Sequence, residues 1–202
     1  MKAITISQYG SPDVLDYGEV ETPQATGHEL LVRIKASSVN PIDWKIREGQ
    51  LKILTGSKFP LYLGLDLSGV VEAVGEKVTR FQLGDEVYGS LTVNPQQKGT
   101  YGEYTTIAEC LVAPKPSPLS YTEAATVPLA ALTALQGLKD KGKVQEGQRV
   151  LINGASGGVG SFAVQIAKAL GAQVTGVCST RNLDIVKSLG ADQVIDYTTT
   201  NF

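Results

Sequence analysis

The sequence predicts a β-rich domain followed by half of a doubly wound α/β domain, and three observations carry this prediction. Up to about residue 118, short β-branched runs such as 30–34 and 69–74 alternate with Gly and Pro, which is typical of a small antiparallel barrel or sandwich. After Gly147 the pattern changes to strand, helix, strand, helix and strand. Pro116 and Pro118 separate the two patterns, so we expect domains at 1–120 and 121–202.

Local signals justify the elements in turn. Residues 3–6 read as a strand rather than as part of a signal peptide. Ser120 and Glu123 form a capping box that opens a helix running through 130–139. The α/β part is predicted to hold strands at 149–153, 173–177 and 193–196, a helix at 159–170 ended by Gly171, and a helix at 182–189 ended by Gly190.

The composition favours a small-molecule partner in a reducing compartment. The 18 basic residues nearly balance the 20 acidic ones without a long run of one sign, which argues against nucleic-acid or membrane-surface binding. No apolar stretch is long enough to cross a bilayer. Cys110 and Cys178 are far apart and lack disulfide-framework or metal-ligand spacing, so we expect a cytoplasmic protein.

The turn at 154–160 links a predicted strand to a predicted helix, which is the context of a dinucleotide fingerprint. Gly158 would let the backbone approach a pyrophosphate, Gly160 would let the helix pack on the strand, and free amides would attract phosphate. The alternative is a tight turn in a nucleotide-free domain. The predicted cofactor contacts in this turn are Ala155, Ser156, Gly157, Gly158, Val159 and Gly160.

The end of the second α/β strand indicates which nicotinamide cofactor binds. An NAD enzyme usually places an acidic residue there to hold the ribose hydroxyls, whereas this chain has Cys178. Ser179 and Arg181 follow and suit a 2′-phosphate, so we expect NADPH, with all three residues at the cofactor. Alternatively, Cys178 fills the core and Arg181 is a solvated residue at a helix start.

Several ordered motifs resemble the medium-chain dehydrogenase/reductase superfamily, in particular its zinc-free quinone oxidoreductase branch. They are the segments 40–45, 64–69 and 128–135 together with the glycine-rich turn. The resemblance implies a GroES-like substrate domain, a Rossmann cofactor domain, an active cleft between them, and often a homodimer.

The resemblance also implies site residues. Asn40 and Asp43 would lie near the nicotinamide, and Thr133 would touch its end. The structural alternatives are a pre-proline turn residue for Asn40, the N-cap of a short turn at 44–48 for Asp43, and a helix residue bonding its own backbone for Thr133. Lys45 would donate a proton or hold a developing enolate unless it is a solvated surface lysine. Tyr197 would stack near the adenosine phosphate or simply pack at an edge.

The metal ligands of the zinc-dependent relatives are missing. Their cysteine falls near Pro41, and their Gly-His-Glu string is here Gly64, Leu65 and Asp66. His28, the single histidine, is expected in a surface loop. Without a Lewis acid, alcohol oxidation is disfavoured, so we expect a quinone or enone as the hydride acceptor. Alternatives are an enoyl-thioester reductase and a non-catalytic NADPH-binding or crystallin-like protein.

The chain ends at Phe202, soon after the third predicted α/β strand. A complete doubly wound domain has a second mononucleotide half, so we expect this chain to be a fragment or part of something longer. The strand at 150–153 would then present an unpaired edge where a fourth strand binds.

Overall fold

The computed structural model describes residues 1–94 and 97–200, and it divides the chain into two compact units, 1–129 and 130–202. Asn201 and Phe202, which close the chain, lie outside the described residues. The first unit is built on antiparallel sheets and the second on a parallel sheet with helices. The predicted fold class, a β domain followed by a Rossmann-type α/β domain, is confirmed.

Two antiparallel sheets form the first unit. The elements are β1 (Lys2–Ile6), β2 (Leu15–Glu19), β3 (Glu29–Ser37), α1 (Pro41–Arg47), α2 (Lys52–Thr55), β4 (Leu61–Tyr62), β5 (Asp66–Val74), β6 (Glu86–Ser90), β7 (Tyr104–Ala108), β8 (Val112–Pro114) and α3 (Tyr121–Ala125). The larger sheet has five strands in the order β7, β3, β5, β6 and β8, and the smaller has three in the order β2, β1 and β4. Short helices follow β3 and β8.

This unit has two buried apolar clusters, and the larger one lies on one face of the larger sheet, where alternate residues of the strands point inward. Leu30 and Val32 of β3, Leu67 and Val71 of β5, and Ile107 of β7 are almost completely buried. A close approach at Gly69 ties β5 to β3, since a methyl group there would meet the backbone of Arg33. This packing fixes the register of β5, and therefore the position of the loop before it.

The boundary between the compact units falls after Leu129 rather than after residue 120. The segment that follows Ser120 packs on the antiparallel sheet: Ser68 Oγ donates to the carbonyl of Tyr121 at 2.6 Å. The Leu129 amide in turn donates to Asp66 Oδ1 at 3.0 Å. Residues 121–129 therefore belong to the first unit, although the change in sequence pattern comes before them.

The helix predicted to run from the Ser120 capping box through 130–139 is interrupted before Pro128. The capping box is present, with Ser120 N donating to Glu123 Oε2 at 2.8 Å, but α3 ends at Ala125. Pro128, which has no amide hydrogen, starts α4 (Pro128–Leu135), and a π-helical stretch continues over Gln136–Lys141. The prediction of one continuous helix was wrong because proline forces a new start.

The second unit contains β9 (Arg149–Asn153), α5 (Gly158–Ala169), β10 (Gln173–Cys178), α6 (Leu183–Ser188) and β11 (Gln193–Asp196). Its three strands are parallel and lie in the order β11, β10 and β9, as expected for the first half of a doubly wound sheet. Its buried core includes Val164, Ala167, Val174 and Val186.

Within the described ranges, no helix is both long and apolar enough to cross a membrane.

Candidate cofactor and substrate sites

In the first unit, the start of α1 brings Asn40 and Asp43 together. Asn40 is the N-cap, and its backbone amide donates a hydrogen bond to Asp43 Oδ2 at 2.7 Å. Pro41 occupies the first helical turn, where its missing amide hydrogen is not needed. The alternative in which Asp43 is only the N-cap of a turn at 44–48 does not hold, because the helix already begins at Pro41 and Asp43 lies within its first turn.

Asp66 links this helix start to β5. Its Oδ2 accepts hydrogen bonds from Asn40 Nδ2 and from Ser38 Oγ, each at 2.8 Å. With the Leu129 amide on Oδ1, the fully buried carboxylate has three donors. Sequence reasoning missed Asp66 and Ser38 as site residues. The available signal was an aspartate inside the apolar run 61–67, because a charge there must find partners.

Asp43 and Tyr101 form a second buried pair. Tyr101 Oη donates to Asp43 Oδ2 at 2.8 Å, and Asp43 is only 2% exposed. Its Oδ1 has no hydrogen-bond partner in the described part of the chain. Burial raises the pKa of the Asp43 carboxyl, although hydrogen bonds from Asn40 and Tyr101 oppose the shift. Burial and the Asp43 charge also raise the pKa of Tyr101, so its hydroxyl stays a donor.

Lys45 and His28 stand apart from this network. Lys45 is half-buried on α1, and its Nζ lies 5.6 Å from the centre of the Trp44 ring. No hydrogen bond joins Lys45 to Asn40 or Asp66. The His28 side chain is 65% exposed and contacts Glu109 at 3.1 Å, which is consistent with a surface loop. Among the described residues, no three His, Cys, Asp or Glu side chains are grouped for a metal ion.

In the second unit, the glycine-rich turn links β9 to α5, as its sequence predicts. Gly154 has a φ of 71°, and Gly157 is the N-cap of α5. A Cβ on Gly160 would overlap the Gly154 carbonyl and lie 2.8 Å from Ala155 Cα. A Cβ on Gly158, in contrast, would meet no protein atom within 4 Å. Gly160 is therefore needed for packing, whereas the space beside Gly158 is open to a ligand.

Side chains of this turn and of the β10 end meet through Asn182. Its Nδ2 donates to Ser156 Oγ at 3.0 Å and to Ser179 Oγ at 3.2 Å. Arg181 is exposed, and its guanidinium forms no hydrogen bond or ion pair with the described residues. Sequence reasoning missed Asn182, because its partner Ser156 lies in a different loop.

Two predicted cofactor contacts face the core instead. Cys178 is 1% exposed, and burial raises the pKa of its thiol, so it acts as a core filler. The Ala155 side chain is also fully buried, and its amide donates to the Val177 carbonyl at 2.9 Å. The side chains of Ala155 and Cys178 therefore pack in the core beneath the turn and are not presented to a ligand.

The remaining predicted contacts are on the surface. Val159 follows Gly158 in the first turn of α5, and its side chain is partly exposed. Tyr197 is 55% exposed just after β11, and its amide bonds the Cys178 carbonyl, which places it beside the end of β10. Thr133 is exposed on α4, next to the buried Ala134.

Comparison with known proteins adds family information to this geometry. The family model of the alcohol dehydrogenase GroES-like domain matches residues 26–117, and that of the zinc-binding dehydrogenase matches residues 158–202. The chain is 43% identical over 205 residues to a chloroplastic quinone-oxidoreductase homologue of Spinacia oleracea, covering 98% of this chain and 62% of that protein. It is 38% identical over 208 residues to a chloroplastic NADPH-dependent alkenal/one oxidoreductase of Arabidopsis thaliana, covering 100% and 53%.

A solved structure agrees with both the sequence matches and the two-unit fold. The quinone oxidoreductase from Coxiella burnetii superposes with a TM-score of 0.92 at 38% identity, covering 100% of this chain and 64% of that one. The chain thus spans less than two thirds of the length of these relatives. The chain belongs to the medium-chain dehydrogenase/reductase superfamily, in its quinone oxidoreductase branch.

Proposed function

We propose that this chain binds NADPH and that the whole protein uses it, without zinc, to reduce a quinone or an α,β-unsaturated carbonyl compound. The names of the spinach and Arabidopsis relatives support this substrate class and cofactor. NADPH supplies the hydride when it is bound. A conjugated acceptor spreads the added charge, so reduction does not require a Lewis acid.

The observation that carries the NADPH proposal is the exposed guanidinium of Arg181, close in sequence to Ser179 at the end of β10. No carboxylate follows β10 at the place where one would hold the ribose hydroxyls, because Cys178 is buried there. A phosphate needs donors and positive charge, and a serine hydroxyl and an arginine supply both.

The turn also fits the cofactor. The open space beside Gly158 allows the backbone to approach a pyrophosphate, and the N-terminus of the 12-residue helix α5 favours negative charge. The residues proposed to hold NADPH are Ser156, Gly157, Gly158, Val159, Gly160, Ser179, Arg181, Thr133 and Tyr197, with Ala155 and Cys178 supporting them from the core.

In the first unit, we assign Asn40 and Asp43 to the substrate side. Both Asn40 Nδ2 hydrogens are used, one to Ser38 at 3.1 Å and one to Asp66, so the side chain is held in one orientation. Asp43 fixes the Asn40 backbone and acts as a positioning residue. Lys45 remains the candidate proton donor, since its ammonium has no carboxylate partner among the described residues.

The test is NADPH oxidation by EDTA-treated protein with a soluble quinone, compared with NADH. Arg181→Gln should weaken NADPH binding by about tenfold or more, because a hydrogen bond to a charged group is lost, and should leave NADH binding unchanged. Arg149→Gln is the matched control, since Arg149 is exposed at the opposite end of the parallel sheet. Equal losses for both cofactors in Arg181→Gln, or loss of activity with EDTA, would contradict the proposal.

Three further expectations belong to this proposal. Activity on an enone but not on an enoyl thioester would separate it from an enoyl-thioester reductase. A homodimer is expected, and sedimentation of the whole protein checks it. A cytoplasmic location is expected, and imaging of the tagged full-length protein checks it.

A further inference from the structure

The side-chain amide of Asn182 connects two loops that are far apart in sequence. One Nδ2 atom reaches Ser156 Oγ in the turn after β9 and Ser179 Oγ at the end of β10. Asn182 is also the N-cap of α6, but its side chain makes no capping hydrogen bond. The side-chain amide therefore hydrogen-bonds the two serines and does not cap the helix.

The direction of these hydrogen bonds determines what each serine can still do. An amide NH2 group has two hydrogens and accepts none, so each serine oxygen is the acceptor of one bond. The hydroxyl proton of each serine then points away from the Asn182 amide and can donate to a different acceptor. Asn182 thus orients two O–H donors, one next to the start of α5 and the other two residues before Arg181.

We propose that Asn182 is a positioning residue for NADPH that holds Ser156 as a donor to the pyrophosphate and Ser179 as a donor to the 2′-phosphate. This inference rests on the proposed function and extends it to a residue that touches neither phosphate. Phosphate oxygens only accept hydrogen bonds, so a serine whose proton is already directed outward binds them with less loss of rotational freedom.

The experiment is calorimetric titration of the full chain with NADPH and with NADH. Asn182→Ala should weaken NADPH binding about three- to tenfold and NADH binding less, because only NADPH uses both serines. Asn182→Asp should weaken NADPH further, since a carboxylate accepts from the serines and turns their protons inward. Gln165→Ala is the control: Gln165 is an exposed amide on α5 that bonds the Ser161 carbonyl, and its loss should change neither affinity.

A mutant cycle based on NADPH affinity tests whether Asn182 acts through Ser156 and Ser179. Asn182→Ala introduced into a chain carrying Ser156→Ala and Ser179→Ala should cause no further loss of NADPH affinity. Unchanged NADPH affinity of Asn182→Ala, an equal loss for both cofactors, or an undiminished loss in the serine-free background would each overturn the inference while leaving the proposed function intact. Tight NADPH binding without quinone or enone reduction would instead refute the proposed function and leave the role of Asn182 standing. A wild-type chain that binds neither cofactor would refute both.

Discussion

Two glycines of the turn after β9 should respond in opposite ways to the same substitution. A methyl group at Gly160 would overlap the Gly154 carbonyl and lie 2.8 Å from Ala155 Cα. Both obstacles are backbone atoms, so no rotamer change relieves the contact. A methyl group at Gly158 would meet nothing of the protein within 4 Å. The structure therefore separates a glycine that packing requires from one that only a ligand would require.

The magnitudes follow from this difference. Gly160→Ala should lower the free energy of unfolding by about 1–3 kcal/mol, as overpacking does, and Tm by about 2–10 °C for a chain of this size. Gly158→Ala should leave stability unchanged or raise it by up to about 1 kcal/mol, because alanine restricts the unfolded chain and favours the helix. It should nevertheless weaken NADPH binding by about tenfold or more, since a pyrophosphate would meet the added methyl group.

Thermal unfolding and calorimetric NADPH titration of both variants provide the assay. Near-native NADPH affinity in a fully stable Gly158→Ala chain would refute the assignment of this turn to the pyrophosphate. Native stability of Gly160→Ala would refute the packing argument. A loss of stability in Gly158→Ala would show that the space beside it is not open.

The remaining predictions concern ionisation and thiol chemistry. Because the folded state raises the Asp43 pKa above its unfolded value of about 3.9, wild-type stability should fall as pH rises from that value through the folded pKa. Asp43→Asn, which keeps an acceptor for Tyr101, should lose this slope in urea unfolding measured against pH, and an unchanged slope would show that the Asp43 carboxyl is not its source. A thiol reagent at pH 8 should label exposed Cys110 quickly and Cys178 only slowly, because Cys178 is buried with a raised pKa; mass spectrometry of the labelled peptides shows whether the order is reversed.

The parts of the fold that depend on local sequence were predictable. The predicted strands at 149–153 and 193–196 are β9 and β11, and Ser120 and Glu123 form the predicted capping box. Periodicity and caps are properties of neighbouring residues, so a single sequence contains them. The helix predicted to run without a break from the Ser120 capping box through 130–139 is divided, because Pro128 lacks an amide hydrogen and starts a second helix.

The site was less predictable, because its decisive contacts join residues that are far apart in the chain. Asn40 could be suspected from its motif, but its partner Asp66 enters only through the register of β5. Cys178 was a predicted cofactor contact because it ends the second α/β strand, where NAD enzymes usually place an acidic residue. In the structure, the alternation of side chains along β10 directs its thiol into the core.

The two buried aspartates show how this long-range arrangement distributes hydrogen-bond donors within the substrate-side network. Asp66 receives three donors, from Asn40, Ser38 and the Leu129 amide, which together satisfy both of its oxygens. Asp43 receives donors on Oδ2 alone and keeps a buried Oδ1 without a partner in the described ranges. Burial raises the pKa of the Asp43 carboxyl more than its hydrogen bonds lower it. Asp66, which accepts hydrogen bonds on both oxygens, instead holds the Asn40 side-chain amide in the single orientation that a positioning role requires.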